Sequence, residues 1–339
     1  LALGPLGICA VFAAMVGISG AAVVAMGTIA LPSMLERGYD KKMALGVINT
    51  GGGWGILIPP SILMILYALI TGVSVGKMFA AGIMPGILLM VLTAIYILVR
   101  CHLQPELAPA LPKEERGTWP EKLRALRAVL LPIGVVIMVL GSIIGGITTP
   151  TEAAAMGVLG ALISAAVYRQ FKWSILQEAA IRTFKLTGMI MWILFAAHAF
   201  SAAYQSMGAQ DLIEGLMNMI PGGPWGIIVA MMVIVFLLAM VLDPVGIMLI
   251  TLPVFMPIVE SLGFDPIWFG ILFVINMEIG YMTPPFGFNL FYLKGVVPPS
   301  ITMKDIYSSI IPFVIVEIVG LGLIMIFPQI ATYLPDLLF

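Results

Sequence analysis

Four short stretches have the residue types to do chemistry inside an otherwise apolar chain. Ser19 and Gly20 follow Gly17-Ile18. Asn49 and Thr50 precede Gly51-Gly52-Gly53, Gly55 and Pro59-Pro60. Asp243-Pro244-Val245-Gly246 divides a long apolar run. Asn276, Gly280, Met282, Thr283 and Asn289 surround Pro284-Pro285. Proline removes a main-chain donor and glycine permits turns closed to other residues, so each stretch stops a helix. A stopped helix leaves carbonyls bare at one cut end and amides bare at the other. Carbonyl, hydroxyl and amide oxygens suit a hard cation such as Na⁺, whereas N-terminal amides suit an anion. Two sodium sites are expected. The first comprises Ser19, Gly20, Asn49, Thr50 and Gly52, the second Asp243, Val245, Gly246, Gly280, Met282 and Thr283. Ser61, Asn276 and Asn289 flank the breaks and are expected to face a substrate. Two other readings stay open. The breaks are packing kinks held by small residues, or Asp243, Glu278 and Glu317 relay protons, since an ionisable residue at membrane depth is functional by default.

These stretches sit in elements built for a bilayer. Of 339 residues, 61% are hydrophobic and only 10% charged, and the mean hydropathy is +1.12. Soluble domains carry about 25% charged residues. Apolar runs of the roughly 20 residues needed to span recur along the chain. The net charge of −1 hides strong segregation and says nothing about nucleic acid, but no basic run interleaved with aromatics occurs, so the expected partner is the lipid bilayer and not nucleic acid. Cys9, Cys101, His102 and His198 have no metal-ligand spacing, so no transition metal is expected and the thiols read as packing groups. His198, in an apolar helix, is expected to hydrogen-bond a neighbouring helix. No H-E-x-x-H, G-x-S-x-G or Walker A motif occurs, and Asp243, Glu278 and Glu317 are too scattered in sequence to mark an enzyme's cavity. No catalytic residue or organic cofactor is expected.

Charge placement sets the topology. Lysine and arginine gather at Arg37–Lys42, Arg100–Arg127 and Arg169–Lys185, whereas 207–223 and 261–266 have none. Cytoplasmic loops collect basic residues. The parity works only if residues 1–35 and 225–260 are re-entrant hairpins, which leaves Lys77 as the one basic residue outside. Leu111–Leu130 and Phe171–Lys185 read as interfacial amphipathic helices with Trp119 and Trp173 near the lipid boundary. Thr149-Pro150-Thr151-Glu152 reads as a capping box.

Pro32–Pro60 and Pro257–Pro285 align at a shift of 225 residues. Pro32, Gly38, Asp40, Gly55, Pro59 and Pro60 each meet an identical residue. Each copy runs hairpin, Gly-aromatic-Asp turn, interrupted helix, full span, and the odd number of crossings between them inverts one relative to the other. The expected fold is an all-α polytopic membrane protein of two inverted repeats, residues 1–99 and 225–339, joined by scaffold and interfacial helices over 100–224. Paired interrupted helices in inverted repeats are the signature of secondary transporters.

Glu36-Arg37-Gly38-Tyr39-Asp40, Gly55-Ile56-Leu57-Ile58-Pro59-Pro60-Ser61, Thr149-Pro150-Thr151-Glu152-Ala153-Ala154 and Met282-Thr283-Pro284-Pro285-Phe286-Gly287 resemble the large membrane subunit of TRAP (tripartite ATP-independent periplasmic) transporters over nearly the whole chain. Its upstream helices are expected to be missing, because the chain opens apolar at Leu1. The resemblance implies an elevator-type fold in the bacterial inner membrane. It implies sodium-coupled import of a small organic acid, a carboxylate, with sodium at the hairpin tips and broken-helix loops. It also implies two partners, a small four-helix membrane subunit and a periplasmic substrate-binding protein. Ala21-Ala22-Val23-Val24 after Ser19-Gly20 departs from the family's more polar first tip, which shifts coordination there toward main-chain oxygens. The alternative is a stand-alone ion- or proton-coupled carboxylate transporter or exporter of related fold.

Overall fold

The computed structural model describes residues 3–109, 119–208, 215 and 220–339. Fourteen α-helices are described. The first half contains α1 (Leu3–Val16), α2 (Ser19–Glu36), α3 (Lys41–Gly53), α4 (Ile62–Thr71) and α5 (Val75–Leu103). The middle contains α6 (Trp119–Ile144), α7 (Pro150–Val167) and α8 (Trp173–Ser206). The second half contains α9 (Gly223–Ala239), α10 (Pro244–Ser261), α11 (Pro266–Tyr281), α12 (Phe288–Lys294), α13 (Met303–Ile326) and α14 (Gln329–Leu338). Six of these are long and apolar enough to cross a membrane.

The repeated residues each do the same local work twice. Gly38 and Gly263 both take φ +76°, the left-handed region where glycine pays no Cβ penalty. Two residues on, Asp40 accepts from the Met43 N–H at 2.9 Å and Asp265 from the Ile267 and Trp268 N–H groups at 2.7 and 2.8 Å. Each aspartate caps the start of an interrupted helix, a contribution of about 1 kcal/mol. The interruptions then fall at matching places. α3 ends in a 3₁₀ turn over Trp54–Ile56 before α4, and α11 ends before α12. Each break carries a cis peptide, Pro59–Pro60 and Pro284–Pro285.

Contacts at the helix ends fix the orientation of the halves. Lys41 at the start of α3 lies 3.9 Å from Asp305 at the start of α13. The Asp40 N–H donates to Leu107 O beyond α5, placing the end of α5, with Arg100, on the same face. On the opposite face, Tyr67 near the end of α4 donates to Pro266 O, and Trp268 Nε1 donates to Ile324 O near the end of α13. Thus α3 and α11 enter from opposite faces, as inverted repeats require.

The two halves interlock. One core packs α1, α2 and α3, through Leu6, Val23 and Ile48, against Leu290 and Leu293 of α12 and Phe313 of α13. The other packs α9, α10 and α11, through Ile228, Ile247 and Phe273, against Met64 and Tyr67 of α4 and Phe79 of α5. Each hairpin is therefore seated on the second half-helix of the other repeat.

Two sequence expectations need correction, and one lies partly outside the described residues. Phe171–Lys185 is no separate interfacial helix, because α8 runs unbroken from Trp173 to Ser206. Its 34 residues extend about 51 Å at 1.5 Å per residue, well beyond a hydrocarbon core of about 30 Å. Its charged start and apolar remainder form one rod. The first part of Leu111–Leu130, residues 111–118, lies outside the described residues, and the chain is helical from Trp119 as α6. His198 is exposed on α8 and makes no described interhelical hydrogen bond, since few elements pack on that helix. The Thr149–Glu152 capping box is present, with Thr149 N–H donating to Glu152 Oε2 at 2.8 Å.

Candidate functional site

Both hairpins rest on a broken helix, the first through its tip and the second through the end of α9, and a glycine makes each approach possible. A Cβ on Gly55 would stand 3.0 Å from the Ile18 carbonyl carbon and 3.3 Å from the Ser19 nitrogen. A Cβ on Gly280 would stand 2.3 Å from the Ala239 Cβ and 3.1 Å from its carbonyl carbon. Gly55 and Gly280 are equivalent positions of the repeat. Gly52 abuts the Val23 main chain in the same way, and Gly17 faces the Pro60 carbonyl oxygen. The first hairpin therefore sets Ser19 against Gly55 and Val23 against Gly52, whereas Gly20 faces the Tyr292 ring of α12. Asn49 and Thr50 are wholly buried one turn earlier on α3.

The main chain at the tips divides differently from the sequence expectation. Ser19 and Gly20 open α2, and Ile18 offers no side-chain cap, so these residues turn N–H groups toward the tip. Carbonyls near the break come from Ile18 and Pro60, which the sequence reading did not single out. At the second tip Asp243 caps α10, accepting from Val245 N–H at 2.8 Å and Gly246 N–H at 3.2 Å. Its carboxylate is occupied by its own helix and is exposed. Met282 is fully buried at the end of α11, and the Thr283 hydroxyl donates to Ile279 O at 2.6 Å. The hydroxyl lone pairs remain open to a cation.

The three residues expected at a substrate serve different places. Ser61 is buried as the cap of α4, donating to Ile56 O and accepting weakly from Met64 N–H at 3.4 Å. Asn276 donates through Nδ2 to Met232 O and so ties α11 to α9. Asn289 on α12 is fully buried, with neither its amide oxygen nor its nitrogen hydrogen-bonded. Asn49 is in the same condition. Unpaired buried amides are costly, at about 1–3 kcal/mol each, and call for a partner.

One convergence was invisible in the sequence. Glu278 and Glu317, 39 positions apart and both fully buried, meet at the end of α3. Trp54 Nε1 donates to Glu317 Oε1 at 3.0 Å. A Cβ on Gly53 would come 3.0 Å from Glu278 Oε1 and 3.3 Å from Met282 Sδ. Asp243 stands apart from them at its tip. The available signal was the repeat itself, because Gly53 and Glu278 are equivalent at the shift of 225, and an inverted pair brings equivalent residues together on its axis.

Residues 5–330 match the family described as "Tripartite ATP-independent periplasmic transporter, DctM component". The chain is 34% identical to the ectoine TRAP transporter large permease protein TeaC of Halomonas elongata, over 100% of this chain and 78% of that protein. It is 35% identical to the C4-dicarboxylate TRAP transporter large permease protein DctM of Pseudomonas aeruginosa, over 99% and 77%. Its fold is similar to the crystal structure of the Alcanivorax borkumensis YdaH transporter, titled as having an unusual topology. The TM-score is 0.52 and the identity 15%, over 96% of this chain and 88% of that one.

Proposed function

Because the chain belongs to the DctM-component family of tripartite ATP-independent periplasmic transporters and is a large permease subunit rather than an enzyme, we propose that it uses sodium entry to import a small organic acid. The observation that carries this reading is the pair of re-entrant tips. Each hairpin packs on a broken helix through a repeat-equivalent glycine, the first at its tip and the second at the end of α9, and the two broken helices enter from opposite faces. Such sites present main-chain oxygens at membrane depth, where they are costly unless a cation or a polar cavity satisfies them. The ligands we assign are Ser19, Gly20, Asn49, Thr50 and Gly52 at the first tip, and Asp243, Val245, Gly246, Gly280, Met282 and Thr283 at the second. Carbonyls of Ile18 and Pro60 add to the first. Of the three residues expected at a substrate, Asn289, whose buried amide is unpaired, is the one assigned to it, while Ser61 and Asn276 hold their helices.

The substrate class is a carboxylate, in keeping with the C4-dicarboxylates and ectoine named for the relatives. In this reading a periplasmic binding protein delivers it, a small four-helix subunit completes the bacterial inner-membrane complex, and an elevator motion carries the tips. Uptake is measured in liposomes holding the chain with its two partners. A sodium gradient is expected to drive accumulation and a proton gradient alone is not; accumulation indifferent to sodium would overturn the coupling. Thr283→Val removes one oxygen while keeping shape. It is expected to raise the sodium concentration for half-maximal uptake about fivefold, the equivalent of about 1 kcal/mol, and an unchanged value removes Thr283 from the site.

A further inference from the structure

The buried acids at the seam between the halves have no role in the tip sites. Glu278 and Glu317 are fully buried, and three of their four carboxylate oxygens have no hydrogen-bond partner. The only described donor is Trp54, which holds Glu317 Oε1. The described ion pairs, Lys41–Asp305 and Arg182–Glu178, do not involve either acid. Uncompensated carboxylates at this depth cost several kcal/mol apiece.

An independent sign comes from the threonines. Thr28, Thr71, Thr183, Thr251 and Thr283 each donate to the carbonyl four residues earlier. Thr93 on α5 and Thr50 on α3, equally helical and fully buried, do not, and neither Oγ1 has a partner. Of the two, Thr50 is the one beside the acids. It lies three residues before Gly53, on the face of α3 that meets Glu278. That stripe continues to Gly46, which packs on Phe313, one turn before Glu317 on α13. Gly52 and Gly55, in contrast, face the hairpin. The bare Gly53 leaves space beside Glu278 Oε1 that a side chain would fill.

We propose that Glu278, Glu317 and Thr50 form a hard-cation site, for sodium or calcium, on the axis between the two halves and apart from the hairpin tips, with the Thr50 hydroxyl serving this site instead of the first tip. Carboxylate and hydroxyl oxygens are the donors such ions take. Trp54 orients Glu317 so that its second oxygen is free for the ion. Gly53 and Glu278 being equivalent in the repeat, neither half can make the site alone, and a bound cation ties the halves at their meeting point. The proposal does not require that sodium drive uptake.

The test is equilibrium binding of ²²Na⁺ and, separately, ⁴⁵Ca²⁺ to the purified membrane complex in buffer free of both ions. The double variant Glu278→Gln/Glu317→Gln is expected to lose one equivalent of one ion per chain. Thr50→Val is expected to weaken that equivalent about tenfold. Ser19→Ala and Thr283→Val, at the tips, are expected to keep it, and which isotope is lost identifies the ion. A monodisperse double variant that binds both ions like the wild type overturns the proposal. Infrared spectra of the wild type alone give a second check. Adding the ion is expected to shift carboxylate bands, and a protonated-carboxyl band indifferent to both ions, meaning that protons fill the pair, overturns the site. Loss of tip binding with this equivalent intact would count against the sodium reading of the tips and leave this site standing.

Discussion

The first break is enclosed and the second is open. Residues 51–57, Ser61 and the tip residues Ser19 and Gly20 are buried. At the second break Pro285 and Phe286 are exposed, Phe286 by 51%, and so is the tip residue Asp243. The charges are arranged in the opposite sense. The second tip owns an aspartate but uses it to cap the amides of α10. The first break has no acid of its own, and Glu278 and Glu317 from the other half lie against it. Inverted repeats share a backbone plan while dividing the chemistry. The plan comes from Gly, Pro and Asp at matching positions, and the chemistry from residues that match nothing.

The largest expected effect probes the plan. Gly55→Val and Gly280→Val each force a side chain into a hairpin tip, where overpacking costs about 1–3 kcal/mol or more. Both are expected to reduce uptake to background while the protein still reaches the membrane. Loss in Gly55→Val alone would show that the open tip tolerates displacement and the closed one does not. Next comes the asymmetry at Trp54, whose repeat equivalent is Ile279. Trp54→Phe removes the donor to a buried carboxylate and is expected to lower the stability of the purified complex by about 2 kcal/mol. Ile279→Leu conserves volume and is expected to cost less than about 1.5 kcal/mol. Thermal unfolding of the two compares them directly, and equal losses would deny Trp54 its special place.

A smaller effect tests the caps. Asp243→Ala is expected to cost about 1 kcal/mol, because the Val245 and Gly246 amides lose their acceptor. Ile18 has cap-like angles, φ −139° and ψ 128°, is 45% exposed and makes no side-chain bond. Ile18→Asp is therefore expected to add up to about 1 kcal/mol by giving the first tip the cap that the second has. A destabilised Ile18→Asp would mean that the first tip's amides face something already negative. The smallest effect is Lys41→Ala, which removes a 3.9 Å pair that is partly exposed. A surface pair of this kind contributes about 0–1 kcal/mol, so unchanged unfolding is the expected result.

What could be read in the sequence was what local chemistry dictates. Gly38 with Asp40, and Gly263 with Asp265, announce a turn and a cap from their own side chains. The paired prolines announce breaks, and basic clustering supplies the parity that makes two hairpins necessary. What could not be read depends on distant contacts. Nothing in the composition of Phe171–Lys185 says that the helix continues to Ser206. The short terminal helix α14 is amphipathic, but its packing along α5 is a distant contact that its own residues do not announce. Glu278 and Glu317 looked scattered because only the interlocking of the halves puts both beside Trp54. The main-chain polarity at the tips was hidden for a simpler reason. The sequence marks where a helix restarts, but the restarting residues present amides, and the carbonyls belong to their neighbours Ile18 and Pro60.

The interlocked cores bear on how the chain is made. The first hairpin and α3 emerge from the ribosome long before Leu290, Leu293 and Phe313, the residues that cover them. Through the synthesis of everything between, their packing faces have only lipid or insertion machinery as company. Maturation must therefore include a late clasp, in which α12 and α13 close over the first hairpin and α3, and a nascent chain halted before α12 would be inserted but unfinished.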